Sequence, residues 1–350
     1  WFENVREECN AVRSNIGLFE LTSFSKFIIK GNDVVNFLNY LCVSEMNVSV
    51  GRIVYTQMLN SDAGTEADIT ITRLDDDCFM FITSATSHNK DYYWLLSHAK
   101  KFNDIIIQDV TKDYGCLSLM GPNSRNYLQS IIDEDISNTS LPFGFSKKVK
   151  LAGVECILNR ITYVGELGYE IYTPYEKLVD VFETIYSKNK DNPIKLAGYH
   201  ALNSLRMEKG YLHWGHDIAI EENPYEAGVG FCVNLNKQSP FLGQEALQIK
   251  KEKGIEKRKV NFSLSDNSLL LYHYEPIYFE GMIVGEITSG MYGFSLDKSL
   301  GMGYIFSTKN HTIEEMLNLQ QFEIEVAESK YKATGSMKGF YDPAREKILI

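Results

Sequence analysis

At 350 residues, with 44% apolar and 23% charged side chains, the chain is a globular polypeptide with room for one large domain or two to three ordinary ones. Its formal net charge of −11 excludes a general nucleic-acid binder, whose phosphate contacts need concentrated Lys and Arg, but leaves room for a small anion held by a few local cations. No apolar run approaches the roughly 18 residues of a membrane-spanning helix, so no membrane partner is expected.

Residues 3–14 are helical in pattern, and 17–31 (GLFELTSFSKFIIKG) read as one strand ending in a turn. Asp33–Leu41 reads as a short amphipathic helix. Residues 53–59 (IVYTQML) and 68–74 (DITITRL) flank Asn60-Ser61-Asp62-Ala63-Gly64, a hairpin signal. In the second run Ile69 and Ile71 alternate with Asp68, Thr70 and Thr72, giving one apolar and one polar face. Strands are predicted at 78–86, 104–111, 115–121 and through 149–174, and helices at 88–102, 122–132, 175–187 and 198–210. Residues 223–243 are turn-rich. The charged stretch Lys250–Arg258 marks a boundary, and 259–350 is almost all short strands and turns. Strands and helices without βαβ regularity argue an α+β region, 1–250, followed by a small all-β domain, 251–350. No G-x-G-x-x-G follows an early strand, so no dinucleotide fold is encoded. The chain opens on Trp1, without Met or a signal segment, and reads as a piece of a longer polypeptide or a trimmed product.

Six scattered cysteines without a CxxC pair read as free thiols in a reducing compartment. His213 and His216 are the one short histidine spacing and lack further ligands at fixed offsets, so no metal site is expected. Asp68 sits at the mouth of its predicted strand, where an acid is either solvent-facing or placed for chemistry. Gly165 and Gly168 bracket Glu166 in a tight turn. That carboxylate is either an ordinary exposed turn acid or one aimed to accept two parallel hydrogen bonds from a guanidine-like edge. In 197–215 Ala201, Leu202 and Leu205 form a helical stripe with Arg206 and Glu208 pointing elsewhere. Arg206 either holds a planar or anionic ligand or stacks on Trp214 at the surface. Residues 288–305 carry turn glycines and Tyr292, suited to closing a barrel-like sheet.

GLFELTSFSKF, VYTQMLNSDAGTEADITITRL, LMGPNSR, RITYVGELGYE, LNSLRMEKGYLHWGHD, NPYEAGVGF, FLGQEAL and VGEITSGMYG follow in that order along essentially the whole chain. Together they resemble the glycine-cleavage T-protein (aminomethyltransferase) family, in the version that forms the C-terminal half of sarcosine and dimethylglycine dehydrogenases. The resemblance implies a three-subdomain fold with a tetrahydrofolate site in a central channel and a small C-terminal β-barrel. It implies that Asp68 is catalytic, with Ala67 standing where the family usually has a second acid. It also implies that Glu166 pairs with the pterin, that Tyr55, Tyr163 and Arg206 line the folate pocket, and that Trp214 lies in the corresponding segment. The function implied is transfer of a one-carbon unit, from an oxidised methylamine or formaldehyde, to tetrahydrofolate as 5,10-methylenetetrahydrofolate. Amine oxidation would fall to an FAD-binding domain upstream of this chain. Two alternatives share the resemblance: a flavin-free folate-dependent methyltransferase or demethylase, and a non-catalytic regulator similar to the regulatory subunit of pyruvate dehydrogenase phosphatase.

Overall fold

The computed structural model describes residues 1–187 and 194–350. The chain opens with helix α1 (Phe2–Ser14), whose Val5, Cys9 and Val12 recur at helical spacing and are buried. The run expected as one strand at 17–31 is two, β1 (Gly17–Glu20) and β2 (Ser25–Lys30), and they belong to different sheets. Between them Lys26 Nζ donates to the carbonyls of Thr22 and Phe24, each at 2.8 Å, holding the turn that switches the chain from one sheet to the other.

Next come α2 (Val34–Leu41), β3 (Ile53–Leu59), β4 (Thr65–Asp75), β5 (Cys78–Thr83), α3 (His88–Ala99) and β6 (Ile106–Asp109). These strands with β2 complete a five-stranded sheet of order β3-β4-β5-β2-β6. The following elements are β7 (Tyr114–Met120), α4 (Ser124–Gln129), β8 (Ser146–Leu151), β9 (Val154–Asn159), β10 (Gly168–Pro174), α5 (Leu178–Ser187) and the two-residue β11 (Lys195–Leu196). With β1 they make a six-stranded sheet of order β11-β1-β7-β10-β9-β8. Helix α6 (Tyr199–Lys209) ends at Gly210, which takes the left-handed φ of +73° that glycine adopts without strain.

The charged stretch at 250–258 proves to be the last turn of α7 (Gln244–Lys253), a Gly254 link and the first residues of β12 (Lys257–Leu264). Then β13 (Pro276–Phe279), β14 (Met282–Gly293), β15 (Lys298–Phe306), α8 (Ile313–Leu319), β16 (Phe322–Val326) and β17 (Ser329–Ser336) follow, before a terminal turn α9 (Glu346–Leu349). The six strands β12–β17 close into a barrel, so no edge is left unpaired. Its core includes Phe262, Ile277, Phe279, Ile287, Phe322 and Ile324.

The two open sheets face each other. Alternation sends Ile69, Ile71, Phe79 and Phe81 outward against α2 and α3, and Leu117, Leu119, Leu158 and Ile171 outward against α4 and α5. The inward faces meet around Met80, Ile82, Cys116, Met120, Ile157 and Tyr172, where α1 and α6 also pack. Helix α6 is buried on nearly every side, including Arg206, Glu208 and Lys209, because the barrel docks on the side opposite its apolar stripe. The arrangement is α+β with a closed C-terminal barrel, as the sequence implied.

Candidate active site

Strand β4 begins at Thr65, so Asp68 lies inside the ladder and not at its mouth. The strand is longer than its apolar pattern because the Asn60–Gly64 turn docks on a distant loop. Thr65 donates both its N–H and its hydroxyl to the Glu222 carbonyl. On the inward face Asp68 is paired across the ladder with Gln57, and Thr70 with Tyr55. Gln57 Nε2 donates to Asp68 Oδ1 at 2.8 Å, and the Tyr55 hydroxyl donates to the same carboxylate. Burial raises the Asp68 carboxyl to about 6, against the lowering pull of those two bonds. Among the described residues, no cation is a partner of Asp68.

A second acid lies on the inward face of the opposite sheet. Glu170 lies on the inward face of β10, directly across from Asn159 on β9 and Ser118 on β7. Asn159 Nδ2 donates 3.3 Å to Thr72 Oγ1, on the face of β4 that carries Asp68, and so ties the two inward faces together. Burial raises the Glu170 carboxyl too, and the Tyr172 hydroxyl donates to it from 2.6 Å away. Both carboxylates keep partial solvent access, whereas polar atoms around them are sealed and unpaired. Among the described residues, Gln57 Oε1, Asn159 Oδ1 and Ser118 Oγ are buried without a hydrogen-bond partner. Facing sheets that carry cation-free acids and unpaired polar atoms form a polar gap inside an apolar core. Buried polar groups of this kind ordinarily find partners.

Tyr55 and Tyr163 border the gap. The Tyr163 hydroxyl donates 2.6 Å to the Leu212 carbonyl, and its ring stacks on Tyr211 with centroids 6.1 Å apart. Burial pushes both phenols well above their ordinary range, and the Asp68 charge adds to the rise in each. Tyr55 also packs its ring near Phe231, which is 78% exposed.

Arg206 is not free to grip a ligand. Its Nη1 bonds Asp217 Oδ2 at 2.6 Å and the Tyr211 carbonyl at 3.0 Å, Nη2 bonds Ser289, and Nε bonds Asn203. Asp217 also accepts from Thr288, and its carbonyl accepts from Tyr304, both on the barrel. Arg206 therefore ties α6 and the 211–218 loop to the barrel from behind Tyr163. Trp214 does not stack on Arg206. Its ring lies under Lys90 Nζ at 4.7 Å, in the wall of a pocket of about 460 Å³ with Thr86, Ser87, Ala219 and Ile220. Lys90 is also ion-paired with Glu66, two residues from Asp68 on the same face of β4.

Glu166 is in a different place altogether. It is 1% exposed, and its Oε1 accepts from Arg13 Nη1 at 3.2 Å and from the Tyr341 hydroxyl. The guanidine edge its turn suggested is supplied by the chain itself. Arg13 also holds Glu208 Oε2 at 2.6 Å and the Val164 carbonyl, with its guanidinium 3.8 Å over the Tyr341 ring. Beside it Lys209 pairs with Asp342 at 2.7 Å. This junction clamps α1, the 160–167 loop, α6 and the C-terminal tail. The acid on the gap is Glu170, four residues on. Its signal in the sequence is an acid set among Tyr169, Ile171 and Tyr172 inside the run predicted as strand. The His213 and His216 rings lie 4.7 Å apart and tilted by 43°, and the described residues hold no metal-ligand cluster.

A sequence model of the GCVT N-terminal domain matches residues 1–237, and one of the glycine cleavage T-protein C-terminal barrel domain matches 257–342. The chain is 35% identical to 4-methylaminobutanoate oxidase (formaldehyde-forming) of Paenarthrobacter nicotinovorans, over 99% of this chain and 41% of that protein. It is 30% identical to the mitochondrial sarcosine dehydrogenase of Homo sapiens, over 99% of this chain and 39% of that one. It is 32% identical to an aminomethyltransferase of Caldanaerobacter subterraneus, over 97% and 88% respectively. The crystal structure of glycine cleavage system aminomethyltransferase T from Bartonella henselae superposes with a TM-score of 0.84 at 23% identity, covering 99% of this chain and 91% of that one. The chain thus spans about two fifths of the oxidase and dehydrogenase and most of the aminomethyltransferase.

Proposed function

The chain belongs to the glycine-cleavage T-protein family, and from that premise we propose that it transfers a one-carbon unit to tetrahydrofolate held between its two open sheets. The observation that carries this reading is the pair of cation-free acids, Asp68 and Glu170, on facing sheet surfaces beside unpaired polar atoms. A pterin, rich in N–H donors and flat enough to lie between sheets, fits such a gap. When bound, tetrahydrofolate supplies two nucleophilic nitrogens that capture carbon at the oxidation level of formaldehyde as 5,10-methylenetetrahydrofolate.

The chain's own residues would bind, orient and move protons. Asp68, with a carboxyl near 6, is ionised at neutral pH yet basic enough to take a proton as bonds to nitrogen form. Its negative charge in a low-dielectric gap also stabilises a cationic one-carbon donor. Glu170 accepts N–H bonds from a guanidine-like edge, the role first expected of Glu166. Tyr55 and Tyr163 supply flat walls and, in Tyr55, a hydroxyl that fixes the Asp68 carboxylate. Arg206 keeps the Tyr163 side of the gap attached to the barrel, and Trp214 with Lys90 forms a side pocket next to Glu66. The oxidase and dehydrogenase relatives support a donor that is an oxidised N-methylamine, made by a flavin-bearing part of a longer protein.

Isothermal titration with tetrahydrofolate tests the reading. Saturable binding that Asp68→Asn and Glu170→Gln weaken is expected, and no binding by the intact chain overturns it.

A further inference from the structure

We propose that Gln57 is a positioning residue for the reaction proposed above, fixing both the direction and the ionisation of Asp68. Its side chain is fully buried on β3, paired with Asp68 across the ladder, with Nε2 at 2.8 Å from Oδ1. An ionised carboxylate only accepts hydrogen bonds, so the amide must turn its NH₂ toward Asp68. That orientation leaves Gln57 Oε1 buried with no partner. An orphaned carbonyl is costly, and an apolar side chain of the same shape would avoid the cost. Packing alone therefore does not account for a glutamine here, whereas service to Asp68 does.

The other groups facing Asp68 cannot take over this service. From β3 Tyr55 donates one hydroxyl; Tyr163 faces it from the 160–167 loop, and the Cys232 thiol from the short turn at 230–232. Burial pushes that thiol up, and the Asp68 charge pushes it further. With no cation in the set, the Gln57 amide and the Tyr55 hydroxyl are the donors that keep the carboxylate ionised and aimed. Losing the amide leaves Asp68 freer to rotate and slower to ionise as pH rises.

The test is a titration of aspartate ¹³Cγ resonances by NMR, with Asp68→Asn identifying the signal of Asp68. In the native chain the midpoint is expected near 6. In Gln57→Met it should rise by about one pH unit, the size of shift that one charge-assisted bond supplies, with no loss of thermal stability. Gln57→Glu, with a second acid against the first, should move it further and serves if the methionine variant does not fold. The pH profile of tetrahydrofolate affinity should move with the midpoint. An unmoved midpoint in the folded variants overturns the role given to Gln57. Because the NMR titration needs no ligand, a moved midpoint in a chain that binds no tetrahydrofolate upholds Gln57 and overturns the folate reading alone.

Discussion

Two places in this molecule set pairs of carboxylates inside the fold, and they do so in opposite ways. At the junction, Glu166 and Glu208 share the Arg13 guanidinium, and Lys209 with Asp342 lies alongside. In the gap, Asp68 and Glu170 are held by hydroxyls and an amide alone. Burial raises the carboxyl of Glu166 as well, but there Tyr341 and Arg13 oppose the rise, and Arg13 supplies a formal charge. A buried acid with a cation beside it is part of the frame, and one left without a cation is available for chemistry.

The sharpest break in that contrast would come from the junction. Replacing Arg13 by Met leaves two acids buried without their cation, and the expected loss is about 3–5 kcal/mol of unfolding free energy, read by urea denaturation. Next, Asp68→Asn should slow one-carbon transfer to tetrahydrofolate by about 100-fold or more while leaving the melting temperature unchanged or raised. Glu170→Gln should weaken tetrahydrofolate binding by about tenfold, the scale of a charge-assisted hydrogen bond. Glu166→Gln should weaken it less than twofold in whatever fraction folds. A large effect there, with none at Glu170, would reverse the assignment of the two acids.

The pH dependence is a finer test. The folded-state pKa of Asp68 is raised, so protonation favours the folded chain, and that contribution fades as pH climbs from about 4 through about 6. Function runs the other way, because the ionised form is the base. Transfer rate should therefore rise through pH 6 while the Asp68 share of stability falls. Asp68→Asn should flatten both trends.

Much of this was legible in the sequence because it is local. The period-two face of 68–74, the hairpin turn and the stripe of α6 each follow from near neighbours. What was not legible came from residues far apart. Glu166 sits in a textually obvious Gly-Glu-Leu-Gly turn, but its partner Arg13 lies 153 residues earlier, and no local pattern announces that pairing. Arg206 looked available because nothing near it in the chain reveals Ser289 on the barrel. Between Gly17 and Gly31 the run has no glycine or proline to show that it serves two sheets. Glu170 alone was within local reach. It is an acid inside the run predicted as strand, but the neighbouring turn drew the reading to Glu166.

The switch at Leu21–Phe24 also bears on how the chain is made. The second sheet is encoded without interruption between residues 25 and 109, nested inside the first, whose β1 must wait for β7 and then for β11 at Lys195–Leu196. At about 5–20 residues per second of synthesis, the opening strand stays unpaired on that side for on the order of ten seconds. During that time the nested sheet can assemble. The polar gap between the sheets is then the last surface to form, closed only when the enclosing sheet folds down over a finished inner one.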